Sequence, residues 1–326
     1  MFKMLDVITI GSATRDVFLK AEGFELRKHA DSPTGVEQCF PLGAKIEAKE
    51  VVFTTGGGGT NAAVTFARQG LKTGCVGVIG SDFNGREIMR ELKNEKVKTF
   101  FTTHKDDFTA YSVILVHPNA ERTILSYKGE GQHFNPDEIK WKKLKTKWFF
   151  FDSMGGNWSM LERAFDYVTA RNFKIAFNPG GKELGHGLEK LRPLLGQTDI
   201  FSVNKEEAEG LLNIKGSAKE VLAELDKLIK GITVLTLGPE GVLVSDKKNV
   251  YRAGTPDSPK VERTGAGDAF VSGFTSQYIT SGGDITKSIQ FATANASSVV
   301  AQYGPKAGIL KKDDWGPWPL VEVEIF

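Results

Sequence analysis

Near its C-terminal end the chain reads RTGAGDAF, residues 263–270. Gly265, Ala266 and Gly267 form a short turn that runs into Asp268 and then into an apolar helical pattern. Backbone N–H groups at a helix start, together with the helix dipole, bind a phosphate group. A carboxylate beside that phosphate repels it, but can accept a proton from a hydroxyl that attacks it. The stretch therefore predicts an anion hole over residues 265–267 with Asp268 as the catalytic base, or else a tight turn followed by an ordinary helix-start acid.

A second glycine cluster favours the catalytic interpretation. Residues 56–63 read GGGGTNAA and open a helical pattern that Gly70 closes. The spacing Gly-Gly-x-x-x-Asn-x-Ala, followed by the glycines and the aspartate of residues 77–85, closely resembles the N-terminal signature of the ribokinase-like sugar kinases, the PfkB family. Residues 265–268 resemble that family's C-terminal signature. The two signatures stand in the family's order at opposite ends of the chain, and the resemblance covers residues 6–308.

This resemblance implies a fold and an activity. The fold is a ribokinase-like three-layer α/β/α arrangement with a mostly parallel central sheet and a small β lid, built as one domain over residues 1–326. The activity is that of an ATP-dependent kinase, which transfers the γ-phosphoryl group of ATP·Mg²⁺ to a hydroxyl group of a sugar. A nucleoside kinase of the same fold is the main alternative, because the motifs at the phosphate end do not select the acceptor.

Composition agrees with an ordinary globular enzyme. The 326 residues are enough for one large α/β domain with a small appendage, and 40% of them are hydrophobic and 25% charged. The net charge of +2 gives no reason to expect nucleic acid or an anionic membrane as a partner. The two cysteines, Cys39 and Cys75, exclude a disulfide framework, and the five histidines lack zinc-site spacing. No apolar run is long enough to cross a bilayer and the N-terminus is too acidic for a signal peptide, so we expect a cytoplasmic protein.

Strand-like and helical runs alternate along most of the chain, which predicts a parallel sheet with helices on both faces. Polar residues repeatedly follow the strand-like runs, at Asp152, Asn178, Asn204 and Gly238. Ligands bind outside the carboxyl ends of the strands in open parallel sheets. Strands also simply end in turn-forming residues, but the repetition favours one shared cleft.

Two regions, residues 12–55 and 99–127, do not follow this alternation. The second contains strand-like runs at 109–116 and 122–127, joined by residues 118–121, which is typical of a hairpin. From the sequence alone these regions are extra β segments. The resemblance implies that they form a lid over the sugar and that the chain forms a homodimer through this lid.

The resemblance also assigns a magnesium site. Asn204 and Glu207 match the family's Asn-x-x-Glu motif, which orders Mg²⁺ and its waters near the nucleotide phosphates. Magnesium usually keeps several waters, so an outer carboxylate is chemically reasonable. The alternative is a capping box at a helix start, with Asn204 as the N-cap and Glu207 three residues later.

Further matches concern ATP. Thr236, Gly238 and Gly241 match the Thr-x-Gly-x-x-Gly segment that lies along ATP in the family, although the same residues suit a β-turn between two strands. Asn295 falls at a position where family members flank the adenine. Taken alone it would be an ordinary helix-packing residue.

For the acceptor, the resemblance implies contacts from Asp16, Gly57 and Asn61. Asp16 follows the first strand, where the family commonly places an acid that hydrogen-bonds sugar hydroxyls. The alternative for Asp16 is a surface turn residue.

The chain departs from the family pattern at two places. Glu262 and Arg263 precede Thr264, where potassium-activated members carry Asp followed by Thr or Ser, so a monovalent-cation site is doubtful. Gly58 stands where several members carry Lys, which weakens the case for a phosphorylated acceptor.

Two other classes of function fit the sequence less well than a kinase does. A dinucleotide-binding oxidoreductase would need a Gly-x-Gly-x-x-Gly pattern directly after the first strand, and residues 56–59 do not stand there. A non-catalytic sugar-binding relative has no need of a base, so the retention of Asp268 argues against it.

Overall fold

The computed structural model of the chain describes residues 4–21, 25–32, 35–105, 107–117 and 122–326. Within these residues the strands are, in chain order, β1 (Leu5–Ile10), β2 (Thr14–Ala21), β3 (Glu25–Lys28), β4 (Val36–Cys39), β5 (Ala48–Gly56), β6 (Thr73–Val76), β7 (Val78–Gly80), β8 (Lys98–Thr99), β9 (Thr102–His104), β10 (Tyr111–Val116), β11 (Arg122–Tyr127), β12 (Thr146–Phe151), β13 (Lys174–Phe177), β14 (Ile200–Asn204), β15 (Ile232–Thr236), β16 (Val242–Ser245), β17 (Val250–Ala253) and β18 (Val323–Ile325).

The α-helices are α1 (Gly58–Arg68), α2 (Phe83–Asn94), α3 (Trp158–Thr169), α4 (Gly181–Leu184), α5 (Leu188–Leu195), α6 (Lys205–Leu212), α7 (Ala218–Asp226), α8 (Ala266–Ser281) and α9 (Ile285–Val300). Short 3₁₀ turns lie at Gly129–Gln132, Pro136–Glu138, Trp141–Lys143 and Gly238–Glu240. Among the described residues, no helix has the length and apolar character that a bilayer crossing needs.

The central sheet has the strand order β18-β17-β16-β15-β14-β13-β12-β1-β6-β8. Every neighbouring pair from β8 to β15 is parallel, whereas β16, β17 and β18 join antiparallel at the other edge. The predicted mostly parallel sheet is thus confirmed. The C-terminal tail ends in the edge strand β18, which pairs with β17.

Alternation along the buried strands places helices on both faces of the sheet. Phe149 and Phe151 of β12 pack with α3, α5, α6 and α7, whereas Phe150 between them packs with α1, α8 and α9. Successive side chains of a strand point to opposite faces, and a strand covered on both faces is apolar throughout. The predicted three-layer arrangement is therefore confirmed.

A smaller sheet with the order β11-β10-β2-β5 contains strands from both regions that broke the alternation. β10 and β11 pair antiparallel as the predicted hairpin, while the connection predicted at residues 118–121 lies outside the described residues. β10 then pairs with β2, and β2 with β5. We call this four-stranded sheet the lid. The region 12–55 also holds a separate hairpin of β3 and β4 that the sequence did not indicate.

Candidate active site

The carboxyl ends of the parallel strands meet around one cavity. Asp152 and Asn178 directly follow β12 and β13, Asn204 ends β14 and Thr236 ends β15. All four line a cavity of about 300 Å³, together with Glu207, Gly267 and Asp268. The structure thus brings three of the four predicted strand-end residues, Asp152, Asn178 and Asn204, together with the predicted anion turn, whereas Gly238 lines an adjoining cavity.

The predicted anion hole lies at the start of α8. Gly265 is the N-cap with a φ of 80°, and no side chain caps the helix. A Cβ atom at Gly265 would lie 2.4 Å from Cβ of Pro305, so both the backbone conformation and the space require glycine. Nothing lies within 4 Å of a Cβ placed on Gly267. Ala266 N donates a long hydrogen bond to Arg263 O at 3.3 Å, whereas in the described part of the chain the N–H groups of Gly265 and Gly267 have no such backbone partner and can bind an anion.

Asp268 lies in this first turn and contacts the other glycine-rich helix start. Asn61 of α1 donates a hydrogen bond from Nδ2 to Oδ2 of Asp268 at 2.8 Å. The other amide atom of this residue, Asn61 Oδ1, is buried and has no hydrogen-bond partner. Burial raises the pKa of Asp268, and the hydrogen bond from Asn61 and the charge of Lys306 oppose that rise.

Asp152 is a second buried carboxylate in the cavity, and the sequence indicated it only as a polar residue after a strand. It is 5% exposed and accepts hydrogen bonds from Asn178 Nδ2 at 3.2 Å and from Ser153 N at 2.8 Å. A Cβ atom at Gly58 would lie 1.9 Å from Asp152 Oδ1, so the glycine makes room for this side chain. Burial, followed by the negative charge of Asp268, raises the pKa of Asp152 well above its ordinary value.

The residues predicted to bind the sugar lie between the lid and α1. Asp16 is a buried residue of β2, 4% exposed, and not a surface turn residue. Thr14 Oγ1 donates to its Oδ1 at 3.0 Å, and a Cβ atom at Gly56 would lie 1.9 Å from its Oδ2. Gly57, the N-cap of α1, has a φ of 90° and passes close to the backbone of Ser12. Burial raises the pKa of Asp16, against the hydrogen bond from Thr14.

Lys306 is a buried cation that no sequence pattern indicated. It follows α9, is 2% exposed, and donates from Nζ to Thr55 Oγ1 at 2.6 Å and to Glu91 Oε2 at 3.3 Å. Burial lowers the pKa of Lys306, and the charges of Glu91 and Asp16 oppose this. A single lysine after the last helix carries no local signal, because its partners lie far away in the chain.

Asn204 and Glu207 form the capping box that was the alternative to a metal site. Asn204 Oδ1 accepts a hydrogen bond from Glu207 N at 2.8 Å, and Glu207 Oε2 accepts one from Asn204 N at 2.9 Å. Both residues nevertheless line the cavity that contains Asp268. Burial raises the pKa of Glu207. Among the described residues, no group of three or more His, Cys, Asp or Glu side chains could hold a metal ion.

A second cavity of about 280 Å³ adjoins the first and shares Thr236 and Gly267 with it. Gly238 and Gly241 also line it, so the three residues predicted to lie along ATP are brought together. Gly241 has a φ of 96°, and a Cβ atom there would lie 1.9 Å from the carbonyl oxygen of Ala253. The turn between β15 and β16 is therefore also part of the wall of this cavity.

Asn295, which was predicted to flank the adenine, does not line this cavity. It is fully buried, donates to Ala269 O at 2.8 Å and accepts from Leu310 N at 2.9 Å. Thr293, Ala296 and Ser297 of α9 line the cavity in its place. Neighbouring helix positions differ by about 100° in direction, so an offset of one residue moves a side chain from the cavity wall into the helix interface.

The carboxylate of Glu262 is tied to the lid. It is 1% exposed, and its Oε1 accepts hydrogen bonds from Thr264 N at 2.7 Å and from the Thr264 hydroxyl. Arg122 of β11 places its Nε 3.2 Å from the same oxygen. Glu262, which stands where a monovalent-cation site was doubtful, is thus already paired with the guanidinium group of Arg122.

Known proteins resemble this chain over nearly its whole length. The pfkB family carbohydrate kinase model matches residues 4–312. An ATP-dependent 6-phosphofructokinase of Thermoanaerobacterium thermosaccharolyticum is 26% identical over 249 residues, which cover 73% of this chain and 76% of that protein. A nucleoside kinase of Methanothermobacter thermautotrophicus is 25% identical over 256 residues, which cover 78% of this chain and 81% of that protein.

The fold is also that of solved kinases. The crystal structure of a ribokinase from Thermotoga maritima superposes with a TM-score of 0.76 at 20% identity, covering 95% of this chain and 97% of that chain. At this identity the likeness concerns the fold alone, whereas the family match rests on the sequence. With the glycine-rich helix starts and the strand-end cavity, these findings show that the chain belongs to the pfkB family of carbohydrate kinases.

Proposed function

We propose that this kinase transfers the γ-phosphoryl group of ATP to a hydroxyl group of an uncharged sugar, with Asp268 as the general base. The observation that carries the proposal is the position of Asp268 in the first turn of the uncapped helix α8, inside the strand-end cavity. The amides of residues 265–267 would stabilise the charge on the phosphoryl oxygens. A sugar hydroxyl ionises too weakly at neutral pH to attack alone, so Asp268 would take its proton as the O–P bond forms.

The surroundings of the two buried carboxylates favour Asp268 over Asp152 as the base. Asn61 donates a hydrogen bond to Asp268, and the positive charge of Lys306 favours its ionised form. Asp152 experiences the negative charge of Asp268 in addition to its burial. When two carboxylates share a site, the proton remains on the one with the higher pKa. Asp152 would therefore stay protonated and Asp268 ionised.

The side chains around the acceptor position suit hydroxyl groups better than a phosphate. Asn61 Oδ1 is a buried acceptor without a partner, which a hydroxyl donor can satisfy. Asp16 adds carboxylate oxygens that accept hydroxyl donors and repel anions. The cations Lys306 and Arg122 are engaged, with Glu91 and Glu262 respectively. An uncharged sugar is therefore the first candidate, and a nucleoside is the second because a relative is named a nucleoside kinase.

The acceptor class is tested by measuring ADP release with a panel of free sugars, sugar phosphates including fructose 6-phosphate, and nucleosides. We expect turnover with at least one free sugar and none with its phosphate. The Asp268→Asn enzyme controls for background ATP hydrolysis. Preference for a sugar phosphate would overturn the uncharged acceptor, and preference for a nucleoside would select the second candidate.

Family membership implies ATP, with Mg²⁺ as its usual companion, and we propose that Asn204 and Glu207 order that metal. Carboxylate and amide oxygens are the ligands that Mg²⁺ prefers, and it retains several waters where few protein ligands converge. When bound, the metal neutralises phosphate charge. The oxygen-only pair beside Gly267 fits this role.

Glu207→Gln should weaken the apparent Mg²⁺ affinity by about 10–100-fold and lower turnover, while acceptor binding stays nearly intact. Glutamine retains the capping box, so the thermal midpoint should change little. The Mg²⁺ dependence of the rate is the measurement. Glu206→Gln, in the same helical turn, is the matched control. A Glu207→Gln enzyme with the wild-type Mg²⁺ dependence would mean that the pair only caps α6.

We predict that K⁺ does not activate the enzyme. Arg122 already supplies a positive charge beside Glu262, and a monovalent cation there would meet electrostatic repulsion. Exchanging Na⁺ for K⁺ at constant ionic strength should leave kcat unchanged. A steep rise in rate with K⁺ would refute this prediction.

The outer face of the lid supports the expectation of a homodimer. Four apolar side chains on this face are between 46% and 60% exposed: Val51, Phe53, Leu125 and Tyr127. Exposed apolar patches mark interaction surfaces, and we propose that a second copy covers this one. Phe53→Ser together with Leu125→Ser should then halve the mass found by sedimentation equilibrium. Ile124→Ser is the control, because Ile124 pairs in register with the buried Ile114 and belongs to the opposite face. A monomeric wild type would disprove this.

A further inference from the structure

The segment that follows α9 lies between the lid and the anion hole. A Cβ atom at Gly304 would lie 3.0 Å from Thr54 Cγ2 of β5, so this glycine passes directly over the lid strand. The next residue, Pro305, packs against Gly265 at the start of α8. Lys306 then places its Nζ 2.6 Å from Thr55 Oγ1 of β5. Three consecutive residues thus connect the lid strand with the phosphate-binding turn.

The backbone of this segment is anchored by a side chain of α1. Arg68 donates from Nη1 to Lys306 O and to Ile309 O, each at 2.8 Å. The same guanidinium group is held by Glu95 at 2.7 Å. With its backbone anchored in this way, Lys306 directs its side chain into the interior, where it is 3% exposed.

Several ionisable groups surround this buried ammonium group. Glu91 of α2 is in direct contact, while Asp16 of β2 and Asp268 of α8 act on it through their charges. Thr55, its other contact, donates its own hydroxyl to Glu91. A buried charge is costly unless it is paired and hydrogen-bonded. The ammonium group is accordingly held by one carboxylate and one hydroxyl while its charge also reaches the acceptor residue and the base.

We propose that Lys306 is a positioning residue for phosphoryl transfer, whose buried ammonium group keeps Asp268 unprotonated and holds lid strand β5 against the start of α8. The inference rests on the proposed function, since it concerns the base of that reaction. Asp268 is faced by the protonated Asp152, by Asp16, whose charge disfavours its ionised form, and by Asn61 and Lys306, which favour it. Without the lysine, Asp268 would hold a proton and could not accept another.

The direct test is Lys306→Met, which keeps the length and apolar stem of the side chain and removes the charge. An opposite charge lowers the pKa of a neighbouring carboxyl, so its loss should move the acid limb of the kcat profile to higher pH by about one unit or more. Activity should therefore fall most at low pH and recover as the pH rises. The ATP KM at high pH should stay near that of the wild type, because Lys306 lines neither cavity.

Glu91→Gln is the opposing variant. It leaves Lys306 in place and removes the negative charge that offsets it, so with Lys306 still protonated the acid limb should move to lower pH. If Lys306→Met does not fold, as judged by its thermal midpoint, Glu91→Gln alone decides: a downward shift supports the proposal and an unchanged profile overturns it.

Failure of the proposed function gives a different result. A wild-type enzyme without turnover on any acceptor of the panel overturns the kinase reaction itself. A wild type that is active, with a folded Lys306→Met variant whose acid limb is unshifted, overturns only the role of Lys306. In an Asp268→Asn background, which should lack the acid limb, Lys306→Met should not change the shape of the pH profile any further.

Discussion

Asp268→Asn is expected to lower kcat by about 10²–10⁴-fold, the usual contribution of a general base. Asparagine keeps the size of the side chain, and its amide oxygen can still accept the hydrogen bond from Asn61. It also removes a negative charge near the phosphates, so ATP binding should be preserved or slightly tighter. The thermal midpoint should barely change. The measurements are kcat from ADP release and the ATP dissociation constant of the variant.

The pH dependence follows from the same residue. Because burial raises the pKa of Asp268 above its usual value, wild-type kcat should fall as the pH drops through that raised value. The proton acceptor is ionised above this pKa and protonated below it. Asp268→Asn should lack this acid limb.

Asp152→Asn is the matched control, since it changes the other buried carboxylate of the same cavity. If Asp152 is protonated as proposed, its amide replacement is likewise uncharged and should reduce kcat far less. An Asp268→Asn enzyme within a few-fold of the wild-type kcat, with chemistry shown to be rate-limiting, would reject the base assignment. A larger loss for Asp152→Asn would transfer the role to Asp152.

Asp16→Ala should raise the acceptor KM on the order of tenfold to a hundredfold, because a hydrogen bond to a charged group contributes roughly 1.5–3 kcal/mol. The ATP KM should change little, since Asp16 lies in β2 of the lid, away from the second cavity. Steady-state kinetics with each substrate varied in turn gives both constants.

Thr14→Ala removes the hydrogen bond that Thr14 donates to Asp16 and leaves the Asp16 carboxylate itself in place. Its effect on the acceptor KM should be smaller than that of Asp16→Ala. Equal increases in both KM values for Asp16→Ala, with a lowered thermal midpoint, would point to a folding defect in place of a lost acceptor contact.

Local sequence patterns determined much of the framework. The strand Lys174–Phe177 and the helix Lys205–Leu212 show why the alternation of strands and helices could be predicted, since each combines an apolar pattern with clear turn or cap residues at its ends. The strand-end residues share one cleft because the carboxyl ends of parallel strands lie at the same edge of a sheet. The glycine turn before α8 was predictable as well, because Gly265 has a positive φ that favours glycine.

The direction in which a side chain points from its helix could not be predicted from the sequence. Asn295 lies on a correctly predicted helix, yet it faces α8 and the cavity is lined by Thr293, Ala296 and Ser297. Sequence spacing gives the period of a helix, but its rotation about its own axis is decided by packing against its neighbours. An assignment that depends on a single position of a helix therefore needs the assembled structure.

Only the tertiary structure revealed the buried charges that complete the site. Lys306 meets Thr55 across 251 positions of the chain, and Arg122 of the lid meets Glu262 near the anion turn. Only the structure indicates that Asp152 belongs to the candidate site, because its side chain lies against Gly58 and beside Asp268. Short-range patterns report the hydrogen bonds and apolar faces of one element at a time. The pairing of ionised groups depends on which elements meet in the interior, where removal from water makes each charge require a partner.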